Sequence, residues 1–287
     1  MQQPLDMIEK MNRSGKKLSK SHRRIAEYIA QNYDKAVYMT ASRLGEAVGV
    51  SESTVVRFAV AMGYEGYPQL QRSLQELVRH RLTSIQRFEM SSDISEGNVL
   101  STVLKTDMQN IRSTIEGIDE KAFLDAVSVI SGARRLYILG LRSAAPLAEF
   151  AGYYLHYILD DVRVVAAAST DVFESISRVD QEDVLLAISF PRYSSRTIEA
   201  MNFARIRGAQ VIGITDGPMS PLHDSADICL SVQTDMASFV DSMAAPMSVV
   251  NALILALGLK NKDAVSERFK QLEEVWDAYS VYMNESK

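Results

Sequence analysis

Residues 40–62 read TASRLGEAVGVSESTVVRFAVAM, and this stretch decides how the first third of the chain is built. Thr40 suits a helix N-cap, and Leu44, Ala47 and Val48 follow as a short apolar stripe. Gly49 stops that helix, because only glycine readily takes the left-handed backbone a sharp exit needs. Ser51 then caps a second helix that runs to Met62, and Gly63 ends it. At about 100° per residue, Val55, Phe58, Ala59 and Met62 share one face, which predicts that they enter a core. Ser53, Thr54, Arg57, Val60 and Ala61 then point away. The pattern is helix, turn, helix, with Val50 tucked in at the turn.

Flanking segments extend the helical reading. Leu18-Ser19 opens a helix carrying Ile25, Tyr28 and Ile29, which ends at Asn32-Tyr33-Asp34. Pro68 stands near the start of another, with Leu70, Leu74, Leu77 and Val78 as its stripe. Residues 1–82 form an all-α head. They hold thirteen basic and eight acidic residues, a net +5 in a chain of net charge −5, so the remainder carries −10. A basic head on an acidic body points to a polyanionic partner.

The exposed set on the second helix suits reading of a DNA groove. Ser51, Ser53 and Thr54 reach phosphates or base edges, and Arg57 grips guanine or phosphate. Lys20, Arg23, Arg24 and Arg43 add sequence-independent attraction to the backbone. Glu52 works against this reading unless it orients Arg57 or accepts from cytosine.

From about Lys121 the pattern changes. Short apolar runs at Arg135–Leu139, Val162–Ala166, Val184–Ser189, Gln210–Ile214 and Ile228–Val232 alternate with helical segments. That alternation predicts βαβ units, a parallel five-stranded sheet and three layers. Residues 83–105 read as a linker and the start of a connecting helix, because Ser91-Ser92-Asp93, Ser95 and Gly97 favour loops; that helix spans Val99–Ile115. Residues 106–262 make the α/β domain, and 263–287 a C-terminal helix. Phe239–Leu259 reads as one long buried helix, and Ala264–Tyr282 as an amphipathic one bearing Phe269, Leu272, Val275, Trp276 and Tyr279.

Two loops at strand ends attract attention. After the first strand come Gly140, Leu141, Arg142 and Ser143. A glycine there lets a ligand approach backbone N–H groups at a helix start. After the third strand come Ser189, Phe190, Pro191, Arg192, Tyr193, Ser194, Ser195, Arg196 and Thr197, a set of hydroxyls and arginines at a second helix N-terminus. Hydroxyls, amides and the positive end of a helix bind phosphate or carboxylate. Open α/β sheets place ligands at such strand ends.

Several classes are disfavoured. No uninterrupted apolar run reaches the ~20 residues that span a bilayer. The polar start MQQPLDMIEKMNRSGKK lacks a signal-peptide core, so a cytoplasmic location is expected. Cys229 is the single cysteine, which precludes an intrachain disulfide and reads as a small buried hydrophobe. The four histidines are scattered, so neither a structural metal nor a cofactor is expected. Sugar isomerisation needs a base beside the substrate. Glu149, His156, Glu174 and His223 are available, but no motif marks any of them.

The residues of the head carry a resemblance. Leu18-Ser19-Lys20-Ser21, Ile25-Ala26, Tyr28-Ile29, then VSESTVVRF at 50–58 and GYEGY at 63–67 resemble the head domain of the RpiR family of bacterial regulators. The resemblance implies a helix-turn-helix that binds double-stranded operator DNA within a homodimer or homotetramer. The region of about 120–260 resembles the sugar isomerase (SIS) domain, with most of the likeness from Ser189 to Leu230, including TIEAMNFARIRGAQVIGITD, Ser220-Pro221-Leu222 and Ala226-Asp227. It implies a phosphosugar pocket lined by Ser143, Ser189, Ser194 and Thr197, and hence a small anionic effector, a sugar phosphate or sugar acid. This chain departs from the usual loops. Arg142 precedes Ser143 and the second glycine of Gly-x-Gly-x-Ser is missing, while SFPRYSSRT replaces Ser-x-Ser-Gly-x-Thr. The extra cationic and aromatic groups imply a ligand with more than one anionic group, or an acid. The alternatives are an SIS-type phosphosugar isomerase or a metabolic adaptor that does not bind DNA.

Overall fold

A computed structural model describes residues 19–37, 39–79, 83–89, 94–166, 171–236 and 238–282. Leu18, Ser91-Ser92-Asp93 and the side chains of Leu77 and Val78 lie outside that set. The chain divides into two compact units between Asp93 and Ile94.

The first unit is helical: α1 (Lys20–Gln31), α2 (Tyr33–Ala36), α3 (Ala41–Val48), α4 (Glu52–Ala61), α5 (Tyr67–Arg79) and α6 (Ser84–Glu89). The ends of these helices are fixed by short-range chemistry. Ser19 Oγ accepts from His22 N–H, and Thr40 Oγ1 accepts from Arg43 N–H, both at 3.2 Å. Gly49 takes φ 71°, ψ 45°, the left-handed cap that ends α3. A Cβ on Gly45 would stand 2.8 Å from the carbonyl oxygen of Val50, so a bare backbone is needed for the turn to fold back on α3. Ile25, Leu44, Val55, Phe58 and Leu70 are fully buried at the centre. The Tyr67 hydroxyl donates to the Met39 carbonyl at 2.6 Å, and burial pushes its pKa up to about 12.

The second unit contains α7 (Val99–Gly117), α8 (Glu120–Ser131), β1 (Arg135–Gly140), α9 (Ala145–Leu155), β2 (Val162–Val165), α10 (Val172–Ser175), β3 (Asp183–Ile188), α11 (Ser195–Ile206), β4 (Gln210–Thr215), β5 (Ile228–Ser231), α12 (Ala244–Lys260) and α13 (Lys262–Ala278). All five strands are parallel, in the order β2-β1-β3-β4-β5. Period-two alternation splits β1, β3 and β4 between two cores. Leu136, Ile138, Leu186, Ile188, Ile212 and Ile214 face α8, α9 and α12. Tyr137, Leu139, Leu185, Ala187 and Val211 face α11 and the turn after α10. Helices on both faces explain why β3 is buried along its whole length.

The sheet's lower edge is fastened by ions. Arg134 donates to Asp183, Glu182 and Asp180 at 2.7–2.9 Å. Arg135 bonds Asp161 at 2.5 Å and holds that carboxyl below its usual range.

Two sequence expectations need correction. The helix read from Phe239 begins only at Ala244, so Phe239–Met243 is irregular chain. A boundary at 105/106 would cut α7, which is one continuous helix of the second unit. No single helix among the described residues is long and apolar enough to cross a membrane. The apolar α12 instead buries Val249, Val250, Leu253 and Leu257.

Leu186 sits in the middle of β3 with no exposure. Leu186→Ala should destabilise the protein by about 2–5 kcal/mol, because it leaves a cavity in the central strand. Urea denaturation followed by circular dichroism measures this, and a loss below about 1 kcal/mol would contradict the packing.

Candidate functional site

The N-terminal half of α4 carries a connected polar surface. Ser51 occupies the N-cap position, but its side chain makes no bond to the helix amides, contrary to the capping expected from sequence. Its hydroxyl instead pairs with Ser53 Oγ at 3.0 Å and Thr54 Oγ1 at 2.8 Å. Arg57 donates to the Ser53 carbonyl at 3.2 Å and to Thr54 Oγ1 at 3.4 Å. These bonds hold the guanidinium against an exposed face that also presents Val56, Val60 and Ala61. The opposite face buries Val55, Phe58 and Ala59, so the amphipathic split expected from the sequence is present. Lys20, Arg23 and Arg43 are exposed. Arg24 has a structural task as well: its guanidinium donates to the Val48 carbonyl at 2.5 Å and caps the C-terminus of α3.

The second unit brings its two loops together by topology. The strand order reverses at β1, whose two neighbours β2 and β3 lead away in opposite directions. Gly140 stands in register with Ile188. The loop from Gly140 to Ser143 and the loop from Ser189 to Thr197 therefore leave adjacent strands at the crevice where such sheets bind ligands. Gly140 itself has a packing reason. A Cβ there would meet the Ala144 carbonyl oxygen at 2.6 Å and Ala148 Cβ at 2.7 Å. Close seating of α9 on β1 requires this glycine, whatever it does for a ligand. Arg142 takes φ 59°, in the left-handed region that favours glycine, at the loop where the SIS pattern has lost its second glycine. Ser143 Oγ donates to Asp241 Oδ2 at 2.9 Å.

At the second loop, Ser194 is the N-cap of α11 without a side-chain bond to the helix amides. Thr197 is fully buried one turn in, and its hydroxyl has no hydrogen-bond partner. An orphaned hydroxyl beside the free N–H groups of a helix start is costly unless a ligand or water meets it. Ser189 is buried, and Ser195 and Arg192 are exposed. Tyr193 donates to Asp216 Oδ1 at 2.6 Å, and Thr215 reaches the same oxygen at 3.2 Å. Arg196 is turned to Glu199 at 3.5 Å and Asp171 at 4.0 Å, and lies over the Phe173 ring.

Asp216 and Asp241 went unrecognised in the sequence. Asp216 directly follows a strand end, so the strand-end rule could have found it. Asp241 fell inside a segment read as helix. The four candidate bases Glu149, His156, Glu174 and His223 are all exposed. Burial, with a contribution from Asp216, pushes the Cys229 thiol up to about 11, which keeps it protonated near neutrality.

Residues 5–81 match the family profile described as "Helix-turn-helix domain, rpiR family", and residues 129–256 match "SIS domain". The head is thus a helix-turn-helix domain of the rpiR family. The chain is a transcriptional regulator with a helix-turn-helix head and an SIS domain. HexR of Pseudomonas aeruginosa, an HTH-type transcriptional regulator, is 24% identical over 274 residues, covering 94% of this chain and 95% of HexR. Two solved structures share the fold. The sugar isomerase domain of an RpiR transcription factor from Sphaerobacter thermophilus superposes with TM-score 0.59 at 21% identity, over 62% of this chain and 99% of that one. The Vibrio vulnificus NanR protein, solved as a complex with ManNAc-6P, gives TM-score 0.58 at 21% identity, over 98% of this chain and 99% of that one.

The Arg142 backbone yields a direct test. Arg142→Gly should unfold at the same urea concentration as the parent or a higher one, since glycine takes this conformation without steric cost. Arg142→Val should lose about 1–2 kcal/mol, because a β-branched residue is disfavoured there. Equal stability of the two variants would contradict the φ assigned to this turn.

Proposed function

We propose that this regulator binds operator DNA through the exposed face of α4 and is controlled by a small anionic effector, a sugar phosphate or sugar acid, seated at the start of α11. The observation that carries the effector reading is Thr197, a fully buried hydroxyl without a partner one turn into α11, the helix that follows β3. The amides opening α11 and the hydroxyls of Ser143, Ser189, Ser194 and Thr197 supply donors to a phosphate or carboxylate. Gly140 leaves room at the strand end, Ser195 and Tyr193 border the loop, and Arg142 and Arg192 add positive charge. With Arg196 drawn to Glu199 and Asp171, less positive charge faces the ligand than the sequence implied. A single anionic group on a hydroxylated body then fits better than a multiply charged ligand. The complex of NanR with ManNAc-6P supports a phosphosugar as the class.

On the head, Ser51, Ser53, Thr54 and Arg57 read the groove, and Lys20, Arg24 and Arg43 hold phosphates. The protein acts in the cytoplasm as a homodimer or homotetramer and is not an enzyme. Exposure of all four candidate bases favours sensing over catalysis. A face for a second copy is available on α7, where Leu100, Leu104, Met108 and Ile115 are 58–73% exposed. It borders an apolar groove of about 310 Å³ between α7, α8 and α12. Effector binding favours one arrangement of the paired heads and so changes operator affinity.

Two measurements test this. Arg57→Ala should weaken specific binding by about 1–3 kcal/mol in fluorescence-anisotropy titrations with genomic operator fragments, while non-specific binding stays close to the parent's. An unchanged footprint would remove α4 from the interface. Thr197→Val should weaken glucose 6-phosphate and inorganic phosphate roughly 10- to 100-fold in calorimetry, the loss of one charge-assisted hydrogen bond. Equal affinity for both ligands would place the anion elsewhere.

A further inference from the structure

We propose that Asp241 is a built-in competitor of the effector, whose carboxylate holds Ser143 until an incoming anion displaces it, and that this displacement is felt by α7. The inference rests on the effector pocket proposed above and adds its regulation.

Ser143 has one hydroxyl proton, and it points to Asp241 Oδ2 at 2.9 Å. An anion seated at the start of α11 and reached also by Ser143, as proposed above, needs that same proton. It would also meet a carboxylate of like charge a few ångströms away, so the two anions cannot both be held comfortably. In this proposal Asp241 is the one that leaves, and its segment is bonded to α7.

That segment, the connection from β5 to α12, is fastened to α7 on its other side. Asn110, 1% exposed, brackets the backbone of Asp235: its Nδ2 donates to the carbonyl at 2.7 Å, and its Oδ1 accepts from the N–H at 2.9 Å. Thr114 Oγ1 accepts from Gln233 N–H at 3.0 Å. Ser242 Oγ donates to Asp107 Oδ1 at 2.6 Å, one residue beyond Asp241. Four bonds thus join one face of α7 to the chain that carries Asp241. α7 is also the first long helix after the division at Asp93. Eviction of Asp241 pulls on Ser242 and, through Asp107, Asn110 and Thr114, on α7. A buried polar bracket of this kind transmits displacement because breaking it would leave its amides and carbonyls unpaired.

The test uses the full-length protein and inorganic phosphate as the probe. Asp241→Asn keeps an acceptor for Ser143 but removes the charge. It should bind phosphate about tenfold more tightly than the parent, since a like charge no longer opposes the anion. A residue with a merely structural role would weaken binding when changed. In hydrogen–deuterium exchange, phosphate should alter protection across residues 107–114 and 232–236 of the parent and have a much smaller effect in Asp241→Asn. Asp241→Ala, which removes acceptor and charge together, should share the tighter binding.

Phosphate affinity in Asp241→Asn equal to or below the parent's overturns the competitor role, as does unaltered protection of α7 in the parent. If Thr197→Val still weakens phosphate in that case, the pocket stands and only the latch falls. If the parent takes up no phosphate and Thr197→Val changes nothing, both readings fail.

Discussion

The effector site proposed for the second unit depends on the parallel pairing of β1 with β3. Because β1 also pairs with β2 on its other side, the sheet's connections diverge at that point. The loops that leave β1 and β3 diverge at the place where open sheets of this kind bind ligands. The helices that follow, α9 and α11, start from the loops of these two adjacent strands. The burial that fixes this pairing is ordinary: Ile138, Leu139, Leu186 and Ile188 are fully enclosed, each contributing about 1.5–3 kcal/mol relative to exposure. The site is a by-product of a well-packed sheet, with hydroxyls placed where backbone donors already point.

The division between what the sequence revealed and what it hid has physical causes. Strands and helices were legible because their burial is periodic. β3 is apolar from Val184 to Ile188, and α4 separates Val55, Phe58 and Ala59 from Ser53 and Arg57 at helical spacing. The two candidate loops were legible because strand ends and helix starts carry their own residue types. The start of α12 was misjudged because Phe239, Val240 and Met243 extend the apolar character of the helix into irregular chain. Apolar content does not say where a backbone stops being helical, and Asp241 was lost with that error. Nor can spacing foretell that Arg196 turns to Glu199 and Asp171, or that Arg142 sits in a glycine-favouring conformation. Those outcomes depend on neighbours far apart in sequence.

The carboxylates change the chemistry of the proposed site. The loops alone look purely cationic and hydroxylic, whereas Asp216 and Asp241 both accept from hydroxyls at the strand ends. Negative groups beside an anion seat raise the selectivity of the seat, because a ligand must satisfy or displace them. Hydroxyls of a sugar suit that task, since they donate to carboxylates where a second anionic group would be repelled.

The central claim is that an anion sits at the N-terminus of α11 against Thr197. A crystal structure of the full-length protein grown with inorganic phosphate tests it most directly. The account predicts phosphate in the crevice between the ends of β1 and β3, with an oxygen within hydrogen-bond distance of Thr197 Oγ1. A crevice closed by its own side chains, with the Thr197 hydroxyl bonded inside the protein and the anion bound elsewhere, would contradict it.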